Sequence, residues 1–237
     1  MTDWQTFWTE YPASLDEREF LRQVGHTIDG QPYSDGQFEA MVATIREALR
    51  LKPTDALLDV CCGNGIVTVE LSKYSRRVVG IDFSAPLIEI ARKFHHPSNL
   101  VYHTMSALQV NDGVLGAEGP FDRVLMYAAL QHFRLEDLDR LLSGFLRHAA
   151  PGVVIVLGGV LDVSRKHLFF DTPEKRAMLR TYQREGRDRL GTWWDKDLVS
   201  RSCEAVGLQC HIDDHSPGRP GGHYRFDAII VDLEPVP

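Results

Sequence analysis

Apolar and polar positions run along the chain in two rhythms, one of amphipathic helices and one of short buried strands. Phe38, Met41, Val42, Ile45 and Leu49 share one face of a helix that opens at the capping box Ser34-Asp35-Gly36-Gln37 and ends before Pro53. Apolar runs at 56–61, 77–82, 100–103, 121–127 and 153–157 read as five strands, the last entered through Pro151-Gly152. Helical patterns fill the gaps. One starts at Ile66, one is capped by Ser84 with Leu87, Ile88 and Ala91 on a face, and one turns Leu138, Leu141, Leu142, Phe145 and Leu146 inward. Strands alternating with helices predict an α/β fold with a parallel sheet buried on both faces.

The two ends break the alternation. Trp4, Phe7, Trp8 and Tyr11 crowd the start, and the capping box Ser14-Leu15-Asp16-Glu17 predicts a helix over 15–24. After the fifth strand, 161–192 reads as an insertion and 195–207 as a helix. Strands at 208–213 and 224–233 follow, and the link between them is too short for a crossover helix, so they form an antiparallel hairpin. The expected organisation is a single domain: an N-terminal lid (1–36), a ligand-binding core (37–160), a cap insertion (161–192) and a C-terminal helix and hairpin (193–237).

Composition narrows the partners. The 237 residues carry a net charge of −7, which argues against a general nucleic-acid coat or an anionic membrane surface. No apolar run approaches the roughly 20 residues of a membrane span, and the N-terminus lacks a signal pattern, so a cytoplasmic protein is expected. The four cysteines form no C-x-x-C, and no cluster of carboxylates stands at ligand spacing after the fourth strand, so no metal is expected. The expected partner is a small-molecule acceptor, with no nucleic acid and no membrane, for a monomer or homodimer.

The chemistry centres on Leu57-Leu58-Asp59-Val60-Cys61-Cys62-Gly63-Asn64-Gly65, a strand running into a glycine turn and a helix start. Such a turn brings backbone N–H groups close to a ligand. A dinucleotide fingerprint needs a third glycine where Thr68 stands. Asp59, four residues before Gly63, would repel a pyrophosphate but attract an ammonium, and Asp82, ending the second strand, suits a ribose diol. The stretch resembles motif I of the class I S-adenosylmethionine-dependent methyltransferases. Val78-Val79-Gly80-Ile81-Asp82-Phe83-Ser84 is similar to their second motif, 121–127 to their fourth-strand motif, and Ala150-Pro151-Gly152 to the turn before their fifth strand. The resemblance covers roughly 37–160 and 195–233. It implies a Rossmann-like, seven-stranded, mostly parallel sheet with an antiparallel C-terminal strand and helices on both faces. It also implies S-adenosylmethionine as cofactor and S-adenosylhomocysteine as product.

Carried over by motif position, the resemblance implies cofactor contacts at Asp59, Cys61, Cys62, Gly63, Asn64 and Gly65, then at Asp82, Phe83 and Ser84. Met105, Ser106 and Ala107 stand where many members place an acidic residue by the adenine, so that contact falls to the Ser106 hydroxyl. Met126 and Tyr127 would floor the site, and Tyr33 is a further candidate. His132, in the loop leaving the fourth strand, is the candidate general base; the alternative is an imidazole that only packs. Trp8, Tyr11, Tyr182, Trp194 and His223 are candidates for the acceptor pocket. The insertion is basic: Arg165, Lys166, Lys175, Arg176, Arg180, Arg184, Arg187 and Arg189 against Asp162, Asp171, Glu174, Glu185 and Asp188. It is either an anion clamp or a solvated face. The favoured activity is methyl transfer to an oxygen, hydroxyl or carboxylate, of a sugar or secondary metabolite. Rivals are a small-molecule N-methyltransferase, a non-catalytic cofactor-binding subunit and a dinucleotide oxidoreductase.

Overall fold

The computed structural model describes residues 3–109, 112–185, 190–219 and 221–232; Arg187, Asp188, Arg189 and Leu233 lie outside them. The elements in order are α1 (Trp4–Ala13), α2 (Phe20–Gln23), β1 (Thr27–Ile28), β2 (Gln31–Pro32), α3 (Asp35–Ala48), β3 (Ala56–Val60), α4 (Ile66–Ser72), β4 (Arg77–Asp82), α5 (Ala85–Phe94), β5 (Leu100–Thr104) and α6 (Asp112–Glu118). Then come β6 (Phe121–Tyr127), α7 (Leu138–Arg147), β7 (Ala149–Leu161), α8 (Lys166–Phe169), α9 (Pro173–Glu185), α10 (Lys196–Ala205), β8 (Leu208–Asp214) and β9 (Arg225–Asp232).

Seven strands form one sheet in the order β5-β4-β3-β6-β7-β9-β8. β3, β4, β5, β6 and β7 pair in parallel, and β9 runs antiparallel to both β7 and β8. All five residues of β3 are buried, as a central strand covered on both faces requires. One layer packs Phe145, Leu141 and Trp194 against Val124, Met126 and Ile155. The opposite layer packs Met41, Ile45, Leu71 and Ile88 against Leu57, Val78 and Leu125. The strand order reverses between β3 and β6, whose C-terminal ends define the crevice where such sheets bind ligands.

The predicted capping box of α3 is present, with Ser34 Oγ accepting from Gln37 N and Gln37 reaching back to Ser34 N. The predicted 15–24 helix is not. Ser14 closes α1 instead, with its N–H bonding to the Glu10 carbonyl and its hydroxyl donating to the Tyr11 carbonyl, and only Phe20–Gln23 is helical beyond it. Aromatic crowding extends the first helix up to the residues read as the cap of the next. In the insertion, Arg165 pairs with Asp214 at 2.6 Å and Lys175 with Asp171 at 3.1 Å, so both ion pairs join neighbouring surface groups. On α9, Met178 and Leu179 pack against Leu161, Phe170 and Trp193.

The sheet's C-terminal edge is shaped by a bulge in β7, where the register with β9 shifts between Leu157 and Val160. A Cβ on Gly158 would lie 2.5 Å from the Tyr127 ring, so the glycine lets Tyr127 lie flat across β7. The Gly159 N–H, freed from the ladder, donates to Asp227 at 2.7 Å.

Candidate active site

β3 delivers Asp59 to the crevice and β4 delivers Asp82. Between β3 and α4 the chain turns through Cys61, Gly63 and Gly65, all left-handed at φ 61°, 57° and 77°. Asp82 fastens this turn. Its Oδ2 accepts from Gly63 N at 3.0 Å and its Oδ1 from Ser84 N at 2.8 Å. Asp59 lies deeper, 3% exposed, and accepts from Thr68 Oγ1 at 2.6 Å. Thr68 therefore orients Asp59 from the first turn of α4, in the place where a dinucleotide site has its third glycine.

These carboxylates have no basic partner among the described residues. Burial pushes Asp59 up to about 7, the Thr68 bond works against that, and the Asp82 charge adds to it. Asp82 is also raised by burial, with its two backbone bonds opposing. Burial likewise raises the Cys61 and Cys62 thiols, which leaves them poor nucleophiles.

Trp8, Val24 and His26 from the N-terminal segment, Tyr127, Ala128 and Ala129 from the end of β6, and His132 and Phe133 beyond it form the facing wall. With Asp59, Cys61, Cys62, Gly63, Ile66, Val67, Asp82, Phe83 and Leu87 they enclose about 750 Å³, its open mouth included. The N-terminal segment is tied down by the glycine turn itself. Asn64 donates to the Phe20 carbonyl and to Gln23 Oε1, both at 2.8 Å, and Ser84 Oγ donates to the Trp8 carbonyl at 2.8 Å. A Cβ on Gly63 would lie 2.7 Å from Val24 Cγ1.

His132 sits under this segment, its ring 4.4 Å from that of Trp4 and 5.4 Å from that of Trp8. Burial first, and Arg225 second, push it down to about 3, so it is neutral. Its Nδ1 is buried with no hydrogen-bond partner among the described residues. His26, 8% exposed, is pushed down to about 4 by the same two causes.

Of the residues singled out in the sequence, the cavity gathers Trp8, Asp59, Cys61, Cys62, Gly63, Asp82, Phe83, Tyr127 and His132. Asn64 and Ser84 stand behind it as latches for the N-terminal segment. Gly65 packs on Tyr102, whose hydroxyl would be 2.3 Å from a Cβ there. Met105 bonds through its N–H to the Asp82 carbonyl at 2.8 Å, and Ser106 Oγ accepts from Leu108 N at 3.3 Å; neither lines the cavity, and Ala107 is buried in the core. Met126 is fully buried on the opposite side of β6 from Tyr127, because neighbouring strand residues face opposite ways. Tyr33 stacks behind His26 at 5.7 Å. Tyr11 stacks on Phe7, Trp194 is core with its indole donating to the Leu130 carbonyl, Tyr182 lies on α9, and the His223 carbonyl receives Arg165. These four line no part of the cavity. Val24 and His26, expected only as a continuation of the N-terminal lid, line the cavity, and Thr68, expected only as an absent glycine, orients Asp59.

Residues 57–152 match the methyltransferase-domain family. Among curated proteins, the chain is 34% identical over 115 residues to the 23S rRNA (uracil(1939)-C(5))-methyltransferase RlmD of Histophilus somni, covering 47% of this chain and 24% of that one. It is 33% identical over 92 residues to the protein-L-isoaspartate O-methyltransferase of Roseobacter denitrificans, covering 39% and 43%. The chain thus spans less than half the length of these relatives. Among solved structures, an S-adenosylmethionine-dependent methyltransferase from Anabaena variabilis superposes with a TM-score of 0.65 at 17% identity, covering 97% of this chain and 93% of that one. The N-methyltransferase NodS of Bradyrhizobium japonicum, in complex with S-adenosylhomocysteine, superposes at 0.64 and 15% identity, covering 98% and 100%. Residues 57–152 thus carry a methyltransferase domain, on a fold shared with these structures. The β3–α4 turn lies inside the matched domain, and the β8–β9 pair is the antiparallel hairpin expected at the C-terminal end of the sheet. Among the described residues no helix is long and apolar enough to cross a membrane.

Proposed function

We propose that this methyltransferase moves the methyl group of S-adenosylmethionine to an oxygen of a small-molecule acceptor. The observation that supports it is the pair of buried, cation-free carboxylates, Asp59 and Asp82, in one cavity beside a glycine turn. Such a pair of carboxylates calls for hydrogen-bond donors and positive charge. A ligand carrying an ammonium and a ribose diol supplies both, whereas a pyrophosphate would add negative charge beside Asp59. The residues therefore fit the cofactor of the family.

In this reading Asp59, oriented by Thr68, holds the ammonium, and Asp82 takes the ribose hydroxyls with its remaining lone pairs. Cys61, Cys62, Gly63 and Phe83 wall the nucleoside, while Asn64 and Ser84 act at one remove by holding the N-terminal segment over it. When bound, the cofactor supplies an electrophilic methyl group, and the chain's task is alignment and water exclusion. The lid of residues 3–33 excludes water with Trp8, Val24 and His26. His132, kept neutral by burial, accepts the acceptor's hydroxyl proton at Nδ1. An oxygen gaining a methyl group becomes strongly acidic, so even a weak base suffices at that moment. The lid, core, insertion and hairpin work as one unit, and the acceptor is a hydroxylated or carboxylated metabolite.

The test is S-adenosylhomocysteine release with S-adenosylmethionine and a panel of hydroxylated, carboxylated and amine acceptors. Turnover on an oxygen acceptor that falls by about 100-fold or more in His132→Ala is the expected result for a general base. Cofactor binding without turnover on any acceptor would point to a non-catalytic subunit, and turnover on amines alone, unaffected by His132→Ala, to nitrogen transfer.

A further inference from the structure

Arg225 opens β9 at the C-terminal edge of the sheet, and among the described residues it has no carboxylate partner. There its guanidinium donates to neutral oxygens alone. Nε reaches the Gly221 carbonyl at 3.1 Å, and Nη1 reaches Gln131 Oε1 at 3.3 Å and, through a shorter bond, the Gly159 carbonyl. The carboxylate of this corner, Asp227, is already engaged. Its Oδ1 accepts from Gly159 N at 2.7 Å and faces His215 Nε2 at 2.8 Å, and its Oδ2 accepts from Arg219 Nη2 at 2.5 Å. Burial works to raise Asp227, but His215, Arg219 and Gly159 hold it below the usual carboxylate range, so it is ionised. Arg219 thus spends its charge on Asp227 and, at 4.0 Å, on Asp213, and among the described residues no ion pair joins Arg225 to either carboxylate.

Arg225 does not line the cavity but stands behind its wall, near enough for its charge to help hold His26 and His132 neutral. Gln131, which Arg225 grips, precedes His132 in the chain. A Cβ on Gly221 would lie 3.3 Å from Tyr33 Oη and 3.7 Å from Arg225 Cδ, so Tyr33 and Arg225 converge on one point. Tyr33 in turn stacks on His26 of the cavity wall. Neutral carbonyls solvate a guanidinium without cancelling its charge, and in low-dielectric surroundings that charge attracts an oxyanion strongly.

We propose that Arg225 anchors an oxyanion of the methyl acceptor, a carboxylate or a phosphate-type group, and that the acceptor is accordingly an anionic small molecule. The inference rests on the methyl-transfer reading of the cavity. Arg225 takes no part in cofactor binding. It fixes one end of the acceptor and leaves the opposite end to the cavity, beside Tyr127 and His132.

The test is calorimetry on the full chain saturated with S-adenosylhomocysteine, with benzoate and phenyl phosphate as probes and benzamide as the neutral control, at constant ionic strength. The expected result is that at least one anion binds saturably and about tenfold or more tighter than benzamide. Arg225→Gln removes that preference, and Arg225→Lys restores part of it. S-adenosylhomocysteine affinity stays within about twofold in both variants. Anions binding no better than benzamide to the wild type would overturn the proposal, whatever the variants do. So would Arg225→Gln that melts earlier yet keeps the anion preference, because Arg225 would then be only a staple of the hairpin. If Arg225→Gln does not fold, the wild-type comparison and Arg225→Lys still decide. No S-adenosylhomocysteine binding in the wild type would overturn the methyl-transfer reading itself; binding without anion preference overturns this inference alone.

Discussion

The two walls of the cavity are made in opposite ways. The wall formed by the β3–α4 turn and the end of β4 comes from two short segments, 59–68 and 82–87, and presents two carboxylates beside a glycine turn. The facing wall draws on both ends of the chain. Trp8 and His26 come from the N-terminal segment, His132 from the loop after β6, and Arg225 reaches that loop from the last strand. It presents aromatic rings and neutral imidazoles, with the Arg225 guanidinium behind them. The first wall can be shared by every protein that binds one cofactor. The second carries whatever distinguishes one acceptor from another.

The largest expected effect breaks the first wall. Gly63→Val forces a side chain into a left-handed position and against Val24, 2.7 Å from its Cβ. Loss of S-adenosylhomocysteine binding by more than about 100-fold is expected, with a cooperative but earlier melting transition. Retained binding would mean that the turn is not at the ligand. Asp82→Ala comes next and should weaken binding by about 1–3 kcal/mol, read by calorimetry, since it removes charge-assisted bonds and the anchor of Gly63 N–H. The smallest effect separates the walls. Ser84→Ala cuts the bond to the Trp8 carbonyl and should cost about 1 kcal/mol of lid closure. Limited proteolysis would show it as faster cleavage within residues 3–33, while S-adenosylhomocysteine affinity changes only a few-fold. Equal protection of wild type and variant would remove Ser84 from the account of the lid.

The same division explains what could be read from the sequence. The parallel strands and the glycine turn are local patterns, so their order and the exceptional place of Asp59 are visible without a structure. The terminal hairpin was legible because its link is too short for anything else. Thr68 was legible only as an absent glycine; its bond to Asp59 depends on how α4 leaves the turn. Asn64 looks like a ligand-facing turn residue, yet its amide faces Phe20 and Gln23, which no spacing links to it. Trp194 and Tyr182 attracted notice as aromatics near the expected pocket, but a large ring serves a core as readily as a ligand, and Trp194 is fully buried among core residues. His26 and Arg225 carry no motif. Their meaning comes from being brought to the cavity and its edge by the N-terminal segment and the bulged β7–β9 pair.

The central claim is that Asp59 and Asp82 make a site for a cationic nucleoside ligand, and Asp59 gives it a pH signature. With its carboxyl raised to about 7 in the unliganded protein, the ionised fraction climbs from about a tenth at pH 6 to about nine tenths at pH 8. The same raised value means that Asp59 favours the unliganded fold at low pH and that this contribution is lost as the pH rises from about 4 through 7. Asp59→Asn removes both dependences and keeps an oxygen for Thr68. The deciding measurement is calorimetric titration of S-adenosylhomocysteine into wild type and Asp59→Asn at pH 6 and pH 8. Wild type should bind about tenfold tighter at pH 8, with the Asn variant weaker there and nearly indifferent to pH. Equal affinities at the two pH values in the wild type, or an Asn variant that binds as well at pH 8, would contradict the account.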